Sequence, residues 1–200
     1  MLCLTTATDP RWAERAADDL PILLADHAHC EMKAASNALA LAARIPHLPK
    51  LARVLVALAR EELDHYDAVL AELERREIAL PPPSIDEYAV QLRKVTRTNG
   101  RPTLEAALVD RFLIAALIEA RSCERLGLLA KALRDRGEHR LAGFYDQLFV
   151  SEARHYTTFV ELAIQLAGGD EPVVRARLAE VATGEGRIAE RLGSMPTVHG

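Results

Sequence analysis

The chain has 200 residues, enough for one domain with a substantial core; half of them are hydrophobic, yet aromatics make up only 4%. Alanine, leucine, arginine and glutamate dominate, which favours helices over sheets. The net charge of -4 excludes a generally polycationic nucleic-acid binder, so any such partner requires a local basic surface.

Cys3, Cys30 and Cys123 are odd in number and fall in no zinc-like or redox spacing. Free thiols in a reducing, cytoplasmic setting are the expectation. No stretch approaches the roughly 20 apolar residues of a membrane span, and "MLCLTTATDPRWAER" lacks a basic region followed by an apolar one.

Asp9 and Pro10 start a short leading helix, and Asp19 with Pro21 starts a longer one over Leu20 to Arg44. Pro46 and Pro49 mark a turn, after which a second long helix runs to Glu77. "PPPSIDEYAVQLRKVTRTNGRP" breaks the rhythm as a long connection holding one short helix capped at Ser84. A third long helix is expected from Thr103 to Gly137 and a fourth from Glu138 to Ala167, stopped by "GGD". A final amphipathic helix covers Glu171 to Leu192, and the tail over 192–200 is expected to be disordered. Two helix pairs joined by a long crossover, with extra flanking helices, predict a single all-α domain over 1–200, a ferritin-like four-helix bundle.

The apolar stripes of these helices carry charged residues where apolar ones belong. The second long helix reads Leu51, Leu55, Leu58, Glu62, His65, Val69, Leu73, and the fourth reads Leu141, Tyr145, Leu148, Glu152, His155, Phe159, Leu162. On the first and third helices the stripes place Glu31 among alanines and Glu119 between Ala115 and Ser122. Glu31 and Glu62 lie roughly 15 residues either side of their turn; Glu119 and Glu152 lie about 17 either side of theirs, a mismatch of only about 3 Å.

Four buried carboxylates need a compensating cation. Glutamates mixed with imidazoles suit iron or manganese better than calcium or structural zinc, and this is the ligand pattern of di-iron and di-manganese bundles. One Glu-x-x-His pair alone is a weak signal; two, each with a depth-matched glutamate, are a strong one.

Other residues are weighed against this set. Glu124 is off the stripe and reads as a surface partner of Arg121. His27 and His29 miss the line through Leu24, Ala28 and Glu31, and read as partly exposed or supporting histidines. Cys30 and Cys123 read as small buried hydrophobes. Tyr66 and Tyr156 could bond to ligand carboxylates, and Asp64 could orient a histidine. Arg93, Lys94, Arg97 and Arg101 form a basic run that would suit phosphates if the partner is a nucleic acid.

"ADHAHCEMKAASNALALAAR", "REELDHYDAVL", "ALIEARSCERLGLLA" and "VSEARHYTTFVELA" resemble the tRNA 2-methylthio-isopentenyladenosine hydroxylase family. The resemblance spans from about Trp12 to the last helix. It implies a ferritin-like monooxygenase with two non-haem iron ions on Glu31, Glu62, His65, Glu119, Glu152 and His155. It further implies O2 as co-substrate, tRNA as partner, an external electron donor of ferredoxin or flavodoxin type, and hydroxylation of the isopentenyl group beside the anticodon. A ferritin-type iron-oxidising protein, or another di-iron oxidase, is the alternative. A rubrerythrin-like peroxidase would normally bring a Cys-x-x-Cys pair, absent from this sequence. A metal-free helical bundle would bind no ion.

Overall fold

A computed structural model describes residues 2–96, 103–193 and 195–198. Among the described residues there are seven helices and no strand: α1 (Arg11–Asp18), α2 (Leu20–Ala42), α3 (Pro49–Arg75), α4 (Glu87–Val95), α5 (Leu104–Asp135), α6 (His139–Leu166) and α7 (Glu171–Leu192). The chain divides into two compact units, Asp18–Ile85 and Met1–Ala17 with Asp86–Gly200.

The Asp18–Ile85 unit is a helical hairpin of α2 and α3. Asp19 accepts from Ile22 N at 3.3 Å and Pro21 occupies the first turn of α2, where a missing N–H leaves no helical bond unmade. The helix stops ahead of Pro46, and α3 restarts on Pro49. At the far end of α3 the chain reverses through Glu77 with φ 56°, which lets Ile78 N donate back to Leu73 O at 2.9 Å.

The same closure ends α5, where Glu138 N donates to Leu133 O at 2.9 Å and the left-handed position is Gly137, φ 81°. In this larger unit α5 pairs with α6, and α4 packs on α7. Gly184 permits that second packing: a Cβ there would collide with the side chain of Val95. The cap of α4 is Asp86, not the expected Ser84: its Oδ1 accepts from Ala89 N at 2.8 Å. Both side chains can cap, but the ionised acceptor makes the stronger bond to a backbone N–H.

The interior of the larger unit is partly ionic. Arg121 is fully buried, and all five of its N–H donors are used. Nε and Nη2 donate to the two oxygens of Glu185 at 2.9 and 3.0 Å, Nη1 donates to Thr8 Oγ1 and Glu124 Oε2, and Nη2 also donates to Thr6 O. Tyr88 donates to Glu185 Oε1 at 2.9 Å, tying α4 into the same cluster. Glu124 does pair with Arg121, but in the interior rather than at the surface. The stripe argument fails there because α5 is covered nearly all round, with Leu113, Leu117 and Arg125 buried as well as the predicted stripe.

The C-terminal tail is held where it is described. Trp12 Nε1 donates to Thr197 O at 3.0 Å, Arg125 Nη1 donates to Val198 O at 2.9 Å, and Val198 is buried. Composition, which predicted disorder here, does not register carbonyls that serve a buried arginine and tryptophan. No helix among the described residues is long and apolar enough to cross a membrane.

Candidate metal centre

In the α2–α3 hairpin the predicted stripe is the buried face. Leu24, Ala28, Glu31, Ala35 and Ala38 are buried on α2; Leu55, Leu58, Glu62, Val69 and Leu73 are buried on α3. Glu31, Glu62 and His65 each offer a ligand atom within 4.8 Å of the others. His65 Nδ1 stands 3.3 Å from Glu62 Oε2 and 3.7 Å from Glu31 Oε2. Burial works against a charge on His65, but the hydrogen bonds and negative charges of Glu31 and Glu62 outweigh it and push its pKa up to about 10. Burial likewise opposes ionisation of Glu31, and the hydrogen bonds from His27 and His65 reverse that, holding the carboxyl below its ordinary range. The pocket of this hairpin therefore favours positive charge beside its two carboxylates.

The second donor set lies in the larger unit. Glu119 on α5 and Glu152 and His155 on α6 are all buried. Glu119 and His155 bring ligand atoms within 4.8 Å of one another. Counted from the α5–α6 turn, Glu119 is level with His155, and Glu152 lies almost one helical turn nearer that connection. Ser151 Oγ stands 3.5 Å from His155 Nε2 and accepts from Arg154 Nη2 at 3.1 Å.

Of the two readings left open for His27, partly exposed or supporting, the structure shows the second. His27 is 1% exposed, and its Nε2 lies 2.6 Å from Glu31 Oε1. The signal was present: His27 is four residues before Glu31 and therefore on the same helical face. Replacing His27 by alanine is expected to weaken metal binding about 10- to 100-fold, with partial retention in His27→Gln, measured by metal titration. Unchanged affinity in His27→Ala would show that Glu31 needs no such support.

Several supporting roles fall elsewhere. His29 Nε2 bonds to Pro81 O at 2.8 Å, fastening the segment after α3. Asp64 is exposed. Tyr156 bonds to Cys3, and burial followed by the nearby Cys3 raises its hydroxyl pKa. Cys123 is a buried thiol donating to Phe149 O; burial, then the charge of Glu152, pushes it up to about 11, so it is an unreactive thiol. Cys30 is also buried. Of the basic run, Arg93 and Lys94 are exposed in the last turn of α4, and Arg97 and Arg101 lie outside the described residues.

The donor chemistry fits a pair of first-row transition ions: glutamates and imidazoles, no thiolate, in buried surroundings. The chain covers, over its full length, 96% of a solved protein described as protein 43 with aldehyde deformylating oxygenase activity from Synechococcus. The TM-score is 0.87 and the identity 35%. Fold and donor groups together define the class: an all-α, ferritin-like protein whose carboxylate and histidine groups suit a di-iron site. Residues 1–200 match the family described as tRNA-(MS[2]IO[6]A)-hydroxylase (MiaE). The chain belongs to that family. Among its relatives, the tRNA 2-(methylsulfanyl)-N(6)-isopentenyladenosine(37) hydroxylase of Pseudomonas putida KT2440 is 41% identical, over 87% of this chain and 80% of that protein. The hydroxylase of the same name from Salmonella typhimurium LT2 is 30% identical, over 82% of this chain and 76% of that protein.

Proposed function

We propose that this protein is an O2-dependent tRNA hydroxylase of the cytoplasm. Its substrate group is the isopentenyl chain of 2-methylthio-N6-isopentenyladenosine beside the anticodon. The observation that carries the reading is the family match over the whole chain, with relatives of one and the same name in two organisms. The donor chemistry supports it independently.

Two iron ions would be held by Glu31, Glu62, His65, Glu119, Glu152 and His155. Bound there, iron supplies the activation of O2 that no amino-acid side chain can provide. The chain's own residues do the rest. His27 fixes one oxygen of Glu31 and leaves the other to face His65. Leu55, Leu58 and Val69 on α3, and Phe112, Leu148 and Phe159 around Glu119 and Glu152 in sequence, are buried and apolar. Apolar surroundings of this kind suit a five-carbon alkenyl group and the exclusion of water that would quench a strong oxidant. Hydroxylation inserts one oxygen atom of O2 into a C–H bond and reduces the other to water, consuming two electrons and two protons. The electrons come from a ferredoxin- or flavodoxin-type donor. The basic run of Arg93, Lys94, Arg97 and Arg101 would contact tRNA phosphates.

The test is iron-loaded protein with reduced donor, 18O2 and tRNA carrying the methylthio-isopentenyl nucleoside. The expected product is the hydroxylated nucleoside bearing one labelled oxygen. Its absence sinks the reading. A second reading, oxidation of an aldehyde with loss of the formyl carbon, draws on the Synechococcus relative. Loss of that carbon from an aldehyde, with tRNA untouched, would favour it.

A further inference from the structure

From Met32 to Arg60 the sequence contains no aspartate or glutamate, yet it contains Lys33, Arg44, Lys50, Arg53 and Arg60 in a chain whose net charge is -4. This stretch forms the second half of α2, the turn, and the first half of α3. Arg44, His47, Lys50, Arg53 and Arg60 are all exposed. On α3, at 100° per residue, Lys50, Arg53 and Arg60 fall within an arc of about 80°, on the side of the helix away from Leu55, Leu58 and Glu62. They extend about 15 Å along the axis, with Arg44 and His47 prolonging the surface at the turn.

A second observation separates this face from ordinary solvated charge. Exposed basic residues of the larger unit are commonly neutralised in place: Arg11 by Asp9, Lys131 by Asp135, Arg134 by Asp146, Arg136 by Glu14, Arg175 by Glu171. Arg44, Lys50, Arg53 and Arg60 have no ion-pair partner among the described residues. A one-signed field on an otherwise acidic protein is maintained against self-repulsion and is suited to a polyanion. The length also suits one: phosphates along a nucleic-acid strand recur every few ångströms, so about 15 Å of basic surface meets several of them.

We infer that the outer face of the first half of α3, continued through the α2–α3 turn by Arg44 and His47, is a docking surface for the phosphate backbone of the tRNA substrate. The inference rests on the tRNA-hydroxylase reading and adds a contact region separate in sequence from the basic run of α4. Positively charged side chains on phosphates position the substrate without reading its bases. Arg60 is two residues from Glu62, so the face that holds the RNA and the residue proposed to hold metal are rigidly linked through one helix.

The experiment is tRNA binding by the iron-loaded full chain as a function of salt, in wild type, Arg44→Gln/Lys50→Gln/Arg53→Gln/Arg60→Gln, and the control Lys131→Gln/Arg134→Gln. The quadruple variant is expected to bind at least about 30-fold more weakly at ~50 mM salt. Its log K against log salt slope should be shallower by about 3, since each lost contact removes about 0.7 to 0.9. The control should match wild type. Arg44→Lys/Arg53→Lys/Arg60→Lys keeps the charge and should bind within about threefold of wild type; equal loss in it would assign the effect to fold damage and overturn the inference. Wild-type affinity and slope in the quadruple variant would overturn it while leaving the hydroxylase reading standing. So would loss of binding only to phosphatidylserine vesicles, which would make the face a membrane contact. No tRNA binding by wild type would remove both.

Discussion

Replacing His65 or His155 by alanine is expected to lower hydroxylation at least about a hundredfold and to remove one or both iron ions from the purified protein. Each substitution deletes a nitrogen donor from a buried set in which the remaining groups are mainly carboxylates. Losing a ligand should cost at least as much as the 10- to 100-fold typical of losing only its supporting hydrogen bond. The comparison with α5 sharpens the test. Glu119→Ala should behave like the histidine variants, because Glu119 and His155 bring ligand atoms within 4.8 Å of one another. Glu124→Ala should keep its iron, because Glu124 is occupied by Thr8 and Arg121. Metal analysis of the four variants, with visible spectra of the oxidised proteins, checks this. Full iron content in His65→Ala and His155→Ala would dispose of the six-residue ligand set.

The buried carboxylates were legible because buried charge is expensive. A glutamate at a position where the helical pattern demands leucine is an anomaly, and Glu31, Glu62, Glu119 and Glu152 are four such anomalies, all buried. Helix ends were legible for a similarly local reason: proline, glycine and capping residues act on their immediate neighbours, and α7 begins and ends where its signals place it. The misreadings share a different cause. Ser84 and Asp86 can both cap, and only the folded backbone shows which side chain meets the free N–H groups of the first turn. Arg121 looked like a surface residue because a one-stripe reading assigns each helix a solvent side, and α5 has almost none. Its partners Thr8 and Glu185 are 113 and 64 residues away, beyond the reach of any periodicity. His27 differs, since four-residue spacing from Glu31 was visible and was outweighed by a stripe drawn too narrowly.

The ionic cluster around Arg121 leads to the second large effect. Arg121→Ala is expected to destabilise the protein by about 3–5 kcal/mol, because it leaves the Glu185 carboxylate buried without its cation. For a chain of this size that corresponds to a fall in melting temperature of about 6–20 °C. Glu185→Ala should do comparable damage from the other side. The pair is nonetheless a poor net source of stability. Burial raises the pKa of Glu185 despite the opposing charge of Arg121 and the hydrogen bonds from Tyr88 and Arg121. The interior thus favours the neutral acid more than the attraction favours the carboxylate. Replacing both members by apolar residues of similar size removes the desolvation cost along with the attraction. Arg121→Met/Glu185→Leu should therefore melt above either alanine variant and fall short of the sum of their losses by at least about 2 kcal/mol. Some loss will remain, since Tyr88 and Thr6 also give up partners. Thermal and urea unfolding of the singles and the double decide it. Strict additivity would mean that Arg121 and Glu185 stabilise the fold independently, and the interior would then owe its arginine to packing rather than to charge.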